Sequence, residues 1–301
     1  MASDEGKIPE APRPSRGGQP NAQLLEGAQK VPYKTIGGED LYLYLFEPEE
    51  DGETPSDPAD RPARPAVLFF FSSFWDNGAI GQFAPHCALL AARGMVAMAV
   101  EYRVSGRNKG ASPTDSIADA RSAFRWVRMN AEALRVDPNR VAGAGGAGGA
   151  TLPVGAAFLS SIDDPGEDTA VSCRPDALIL FSPILDLSKK GAGLDRFADP
   201  KLAKAIDPLR NVSKLGPPAI ILHGGADQLV PIRGSEIFAR RMRRKKNPCE
   251  LVRYEGQGHT FYNFNVSMEM YEGTMHEVDR FLVEHGFLAP SGEETGSSLV
   301  A

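Results

Sequence analysis

Val141-Ala142-Gly143-Ala144-Gly145-Gly146-Ala147-Gly148-Gly149-Ala150-Thr151-Leu152 places five glycines between Gly143 and Gly149. The stretch follows a charged turn, Asp137-Pro138-Asn139-Arg140, and leads into an apolar run over residues 154–159. Glycine at this density marks a backbone that turns sharply or approaches something closely. On either side, apolar runs of strand length alternate with segments of helical period. Residues 66–71, 95–100, 140–144, 176–181, 218–222 and 250–254 read as buried strands. Residues 82–93, 117–134, a segment after Gly148, one from Arg233 and one over 268–286 read as helices. This alternation predicts an α/β fold, a mostly parallel central sheet with helices on both faces. Residues 41–46 differ, alternating with period two as an antiparallel strand does.

Composition narrows the classes. The chain has 301 residues, 42% hydrophobic and 24% charged, enough for a large core. Residues 1–30 are rich in Pro, Gly and charge and are expected to form a flexible arm, with order starting near Tyr33. One domain is expected over 31–288 and a flexible tail over 289–301. A net charge of -6 argues against a nucleic-acid partner. The basic run over 240–246 reads as a solvated helix end favoured by the helix dipole. Cys87, Cys173 and Cys249 are widely spaced and odd in number, suggesting neither a disulfide framework nor a metal cluster. No apolar run reaches membrane-spanning length, so no membrane role is expected. The expectation is a soluble protein, cytoplasmic or secreted with its leader removed, of unspecified oligomeric state.

The glycine stretch admits two readings. Gly143 to Gly148 fits G-x-G-x-x-G between a strand and a helix, as a dinucleotide-binding turn does. That reading needs a further strand ending in an acid about twenty residues on. Asp163 and Asp164 have the spacing, but the segment before them continues a helix pattern. The other reading is a nucleophile elbow, G-x-S-x-G, which Gly145-Gly146-Ala147-Gly148-Gly149 matches in everything but the serine. The later chain favours the elbow. Asp227 follows the strand-turn His223-Gly224-Gly225-Ala226, and His259 lies in Gly256-Gln257-Gly258-His259-Thr260-Phe261. The order nucleophile, acid, histidine is that of a hydrolase triad, in which a carboxylate fixes the imidazole tautomer and leaves its other nitrogen as base.

With these motifs in order, residues 33–288 resemble the bacterial α/β-hydrolase esterases related to acetyl-esterases and the hormone-sensitive-lipase group. Glu101-Tyr102-Arg103, Asp119 with the helix through Trp126-Val127, and Asp137-Pro138-Asn139-Arg140 support the likeness. The resemblance implies hydrolysis of a small-molecule ester through an acyl-enzyme, with no metal and no organic cofactor. It makes position 147 the nucleophile position, His259 the base and Asp227 its partner. It places the oxyanion hole on Ser72, Ser73 and Gly148, and a substrate pocket beside Phe71, Phe74 and Trp75. Two departures stand out. Ala147 occupies the serine position, so this form is expected to be inactive. Phe71-Ser72-Ser73-Phe74-Trp75 replaces the family's His-Gly-Gly-Gly-Trp. Drift would have eroded Asp227 and His259, so their persistence favours deliberate replacement of serine over natural loss. The altered loop favours the alternative, a natural hydrolase-fold binding protein.

Overall fold

The computed structural model describes residues 23–49 and 62–290. Residues 1–22 of the expected arm over 1–30 and residues 291–301 of the expected tail over 289–301 lie outside the described residues. The first strand, β1 (Gln29–Ile36), starts earlier than Tyr33 and pairs antiparallel with β2 (Glu39–Phe46). Then come β3 (Arg64–Ser73), α1 (Ala84–Ala92), β4 (Val96–Val100), α2 (Pro113–Met129), β5 (Val136–Gly146) and α3 (Ala147–Phe158). The chain continues through β6 (Ala177–Phe181), α4 (Pro200–Ile206), α5 (Pro208–Asn211), β7 (Ala219–Gly224), α6 (Arg233–Arg244), β8 (Cys249–Tyr254) and α7 (Met268–Glu284).

The strands form one sheet in the order β1-β2-β4-β3-β5-β6-β7-β8. β2 runs antiparallel to both neighbours, and the pairs from β4 through β8 are parallel. This is the mostly parallel sheet that the alternation predicts, in the α/β-hydrolase arrangement that the resemblance implies. The buried strands are apolar along their whole length because both faces are covered. Along β3, Leu68 and Phe70 pack with Ile117, Phe124 and Val127 of α2, while Val67 and Phe69 pack with Leu90 of α1 and Met275 and Val278 of α7. A fully buried ring such as Phe124 contributes roughly 1.5–3 kcal/mol by leaving water.

Helix α2 begins before the expected Ile117. Ser112 donates its backbone N–H to Asp115 at 2.7 Å and Pro113 takes the first helical position, a capping arrangement that starts the helix there. Asp119 on α2 is fully buried and ionically satisfied. Lys34 Nζ lies 2.8 Å from it, and the Arg103 guanidinium donates to both of its oxygens at 2.7–3.0 Å. Asp163 and Asp164 join this charge network through Arg121 and Arg125, and through Lys34 and Arg103, respectively. No strand separates α3 from these acids, so the dinucleotide reading lacks the element it needs.

Candidate active site

Register brings the candidate residues to one edge of the sheet. Phe70 lies opposite Gly145, Gly146 opposite Phe181, and Gly224 opposite Tyr254. The carboxyl ends of β3, β5, β6, β7 and β8 therefore collect Ser73, Ala147, Ser182 and the loops bearing Asp227 and His259, where ligands bind in open α/β sheets.

The glycine stretch approaches protein backbone. A Cβ at Gly145 would fall 2.8 Å from the Phe70 carbonyl oxygen and from the Gly149 backbone, and one at Gly149 would collide with the Phe71 carbonyl. Side chains are excluded there because α3 leaves β5 directly against β3. Between them Ala147 takes the left-handed conformation, φ 48°, which costs an L-residue about 1 kcal/mol. Ser73 pairs with Ala147 in a parallel bridge, and the Ala147 carbonyl accepts from Ile184 N–H at 3.0 Å. Strand, strained residue and helix together have the form of an elbow whose tip is a methyl group. Thr151, one turn along, donates its hydroxyl to the Ile184 carbonyl at 2.6 Å and is buried.

Asp227 and His259 meet. Nδ1 of His259 lies 2.7 Å from Asp227 Oδ2, and Nε2 makes no hydrogen bond among the described residues. Asp227 Oδ1 accepts the backbone N–H groups of Leu229 and Val230, each at 2.9 Å. Burial opposes the charge on Asp227, but hydrogen bonds from His223, His259 and Val230 N–H outweigh it and hold the carboxyl well below the usual carboxylate range. Sequence reading treated His223 only as a landmark. It is fully buried, with Nδ1 2.8 Å from Ser235 Oγ and Nε2 2.9 Å from the Val230 carbonyl and 3.3 Å from Asp227 Oδ2. It braces the turn that carries the acid.

The expected oxyanion loop is altered. Ser72 N–H donates to Gln82 Oε1 at 2.6 Å, so it is engaged and not free for a substrate oxygen. The Ser72 hydroxyl receives Gln82 Nε2 at 2.9 Å and shares a hydrogen bond with Tyr262 OH at 2.8 Å. Ser73 Oγ lies 2.9 Å from Tyr102 OH and accepts Trp75 N–H at 3.1 Å. Gly148 stands in the first turn of α3, whose N–H groups lack partners within the helix, but the Ser73 carbonyl is against it, 2.6 Å from where a Cβ would be.

The aromatic residues divide. Phe71 is core, stacked on Tyr102 with ring centroids 4.0 Å apart, and does not border the nearby cavity. Phe74 is half-buried, its ring 6.1 Å from that of His259. Trp75 is buried between Gly148 of the elbow and Gly193 and Phe197 of the segment after β6. A cavity of about 550 Å³ opens beside Phe74, lined also by Ser188, Lys189, Gly193, Arg196 and the exposed Leu229. Arg196 is bonded to Asp76 at 2.9 Å, linking this segment to the loop after β3. The segment between β6 and β7 contains the short helices α4 and α5.

Two features of this edge have no sequence signal. Trp75 Nε1 and Ser182 Oγ are buried polar atoms without a hydrogen-bond partner among the described residues, and both residues have positive φ, 61° and 40°. Among the described residues, one group of carboxylate and imidazole atoms has ligand-like proximity, Glu250, Glu284 and His285. Glu250 stands at the start of β8, the opposite end of that strand from the elbow, and Arg280 donates to both glutamates.

The BD-FAE family matches residues 56–242, more than half of the chain. This chain belongs to the BD-FAE family. Among solved structures, esterase 2 of Thermogutta terrifontis, phosphoramylated by tabun, is 41% identical with a TM-score of 0.80, covering 88% of this chain and 97% of that one. The same esterase with butyrate bound is 39% identical with a TM-score of 0.80, covering 89% and 98%. Esterase LipC of Mycobacterium tuberculosis is 26% identical over 230 residues, covering 67% of this chain and 55% of that protein. An acetylxylan esterase of Xylanibacter ruminicola is 28% identical over 180 residues, covering 56% and 35%. The chain thus spans about half the length, or less, of these curated relatives. The BD-FAE assignment and the esterase neighbours agree with the α/β-hydrolase fold. No helix among the described residues is long and apolar enough to cross a membrane.

Proposed function

We propose that this BD-FAE chain is a serine-type carboxylic ester hydrolase framework for small acyl esters, acetylated carbohydrate among them, and that the form with Ala147 binds such esters without cleaving them. The observation that carries this reading is the 2.7 Å contact between His259 Nδ1 and Asp227, at the same sheet edge as a left-handed elbow residue. With serine at 147, His259 Nε2 would take the hydroxyl proton as the oxygen attacks the ester carbonyl. It would return that proton to the leaving alcohol, and water would then release the acid by the same route. Asp227, held ionised, would stabilise the imidazolium. A methyl group has neither the lone pair nor the proton that this sequence requires. Small acyl groups are supported by the Thermogutta esterase structures with propionate and with butyrate bound.

The experiment is Ala147→Ser, assayed with aryl acetate and aryl butyrate. Loss of a triad serine costs roughly 10⁶ in kcat, and one missing oxyanion donor roughly 10²–10³. With Ser72 N–H engaged by Gln82, restoration is therefore expected to raise kcat about 10³–10⁴-fold over the Ala147 form. No hydrolysis across several acyl lengths, in a folded variant, refutes the reading.

A second reading, a natural non-catalytic binding protein, is supported by the fit of the Ser72 side chain between Gln82 and Tyr262. It predicts ligand binding by the Ala147 form and no turnover after serine is restored.

A further inference from the structure

We propose that the indole N–H of Trp75 is a ligand-binding donor at the elbow, reserved for the carbonyl or carboxylate oxygen of an acyl group. The inference rests on the ester-site reading above and adds a residue to it. Trp75 is 2% exposed, and Nε1 is a buried donor with no partner among the described residues. Such a group costs about 1–3 kcal/mol unless something fills its hydrogen bond, and buried donors are nearly always paired.

Its position is specific. A Cβ at Gly148 would lie 3.1 Å from Cε2, the ring carbon bonded to Nε1, and 3.2 Å from Cζ2. The ring edge carrying the N–H therefore lies on the first turn of α3, a helix of 12 residues whose amino end favours negative charge. The far edge of the ring rests on Gly193, where a Cβ would be 2.7 Å from Cζ3, and the Phe197 ring meets it edge-on at 5.9 Å.

The rest of the residue is tied down. Trp75 N–H donates to Ser73 Oγ at 3.1 Å, and its carbonyl accepts Ser105 N–H at 2.9 Å and Ser105 Oγ at 3.2 Å. These bonds hold the left-handed backbone at residue 75. The indole is thus fixed, and the N–H is the one polar atom of the residue left without a bond. Of the donors expected for an oxyanion, Ser72 N–H is already taken by Gln82. The amino end of α3 and the Trp75 N–H converge on the same acceptor, an oxygen bearing full or partial negative charge.

The test uses the Ala147 protein with butyrate as the probe, followed by ¹H–¹⁵N spectra of the indole groups. The chain has two tryptophans, so Trp126→Phe assigns the Trp75 resonance. Saturable downfield movement of the Trp75 indole proton is expected. Trp75→Phe keeps an aromatic ring but removes the indole N–H, and should weaken butyrate about 10-fold or more, as loss of a hydrogen bond to a charged group does. In the Ala147→Ser background, Trp75→Phe should lower kcat about 10-fold or more with a smaller change in KM. Butyrate that shifts His259 signals without moving the Trp75 indole overturns the proposal alone. Butyrate that shifts neither overturns it together with the ester-site reading.

Discussion

Lowering the pH should destabilise this protein through a histidine that takes no part in the site. His86 on α1 is fully buried, and among the described residues no hydrogen bond of ordinary geometry reaches either ring nitrogen. Phe83, Phe181 and Tyr271 meet its ring edge-on at 4.8–5.6 Å, and Phe69 lies 5.9 Å away. Burial in this cage pushes the pKa down to about 3, the Tyr262 backbone offsetting only a part. In the unfolded chain it returns to about 6.5. The folded pKa is the lower, so between these values the unfolded chain binds the proton more readily. The contribution to stability is intact above about pH 6.5 and falls by about 1.4 kcal/mol per unit as pH drops towards 3. At pH 4.5 the loss is about 2–3 kcal/mol. His86→Leu removes the titration at nearly constant volume. Denaturant melts of both proteins at pH 7.5 and 4.5 give four stabilities. The parent should lose about 2–3 kcal/mol more than the variant over this interval, whatever the packing change at pH 7.5. Equal losses would refute the reasoning, because carboxylates titrating in the same window cancel in the comparison.

Three further outcomes are expected. Ser182→Ala removes a buried hydroxyl that has no partner and should stabilise the fold by about 1 kcal/mol, read as a higher denaturant midpoint at unchanged slope. Asp119→Asn leaves Lys34 and Arg103 facing an uncharged group in a buried network and should cost about 3–5 kcal/mol in the same assay. Arg196→Ala breaks a half-exposed ion pair with Asp76, so stability should change by less than about 1 kcal/mol. In the Ala147→Ser background its effect should fall on KM for bulky alcohols, because Arg196 lines the cavity beside Phe74.

The sheet was legible because parallel strands covered on both faces read as unbroken apolar runs, and the elbow because only glycine fits where α3 leaves β5 against β3. The start of α2 was legible but misread. Ser112-Pro113-Thr114-Asp115 carries a capping signal, whereas the apolar period alone pointed to Ile117. Asp199-Pro200 and Asp207-Pro208 similarly announce α4 and α5, with each aspartate accepting the N–H two residues on. The oxyanion loop was not legible. That Ser72 N–H serves Gln82 depends on how the turn before α1 folds back, and that Ser72 Oγ meets Tyr262 depends on a contact across 190 residues of sequence. Nor does any pattern announce the bare Trp75 N–H, since lacking a partner is a property of the assembled fold.

The close backbone packing at Gly145 and Gly149 has an evolutionary consequence. These contacts, and not the side chain at 147, set the curvature of the turn. Every alanine codon lies one base from a serine codon, so an attacking hydroxyl can be regained at that position in one mutational step while the surrounding architecture stays as it is. Such a lineage can lose turnover and retain its ligand, leaving selection free to act on binding alone.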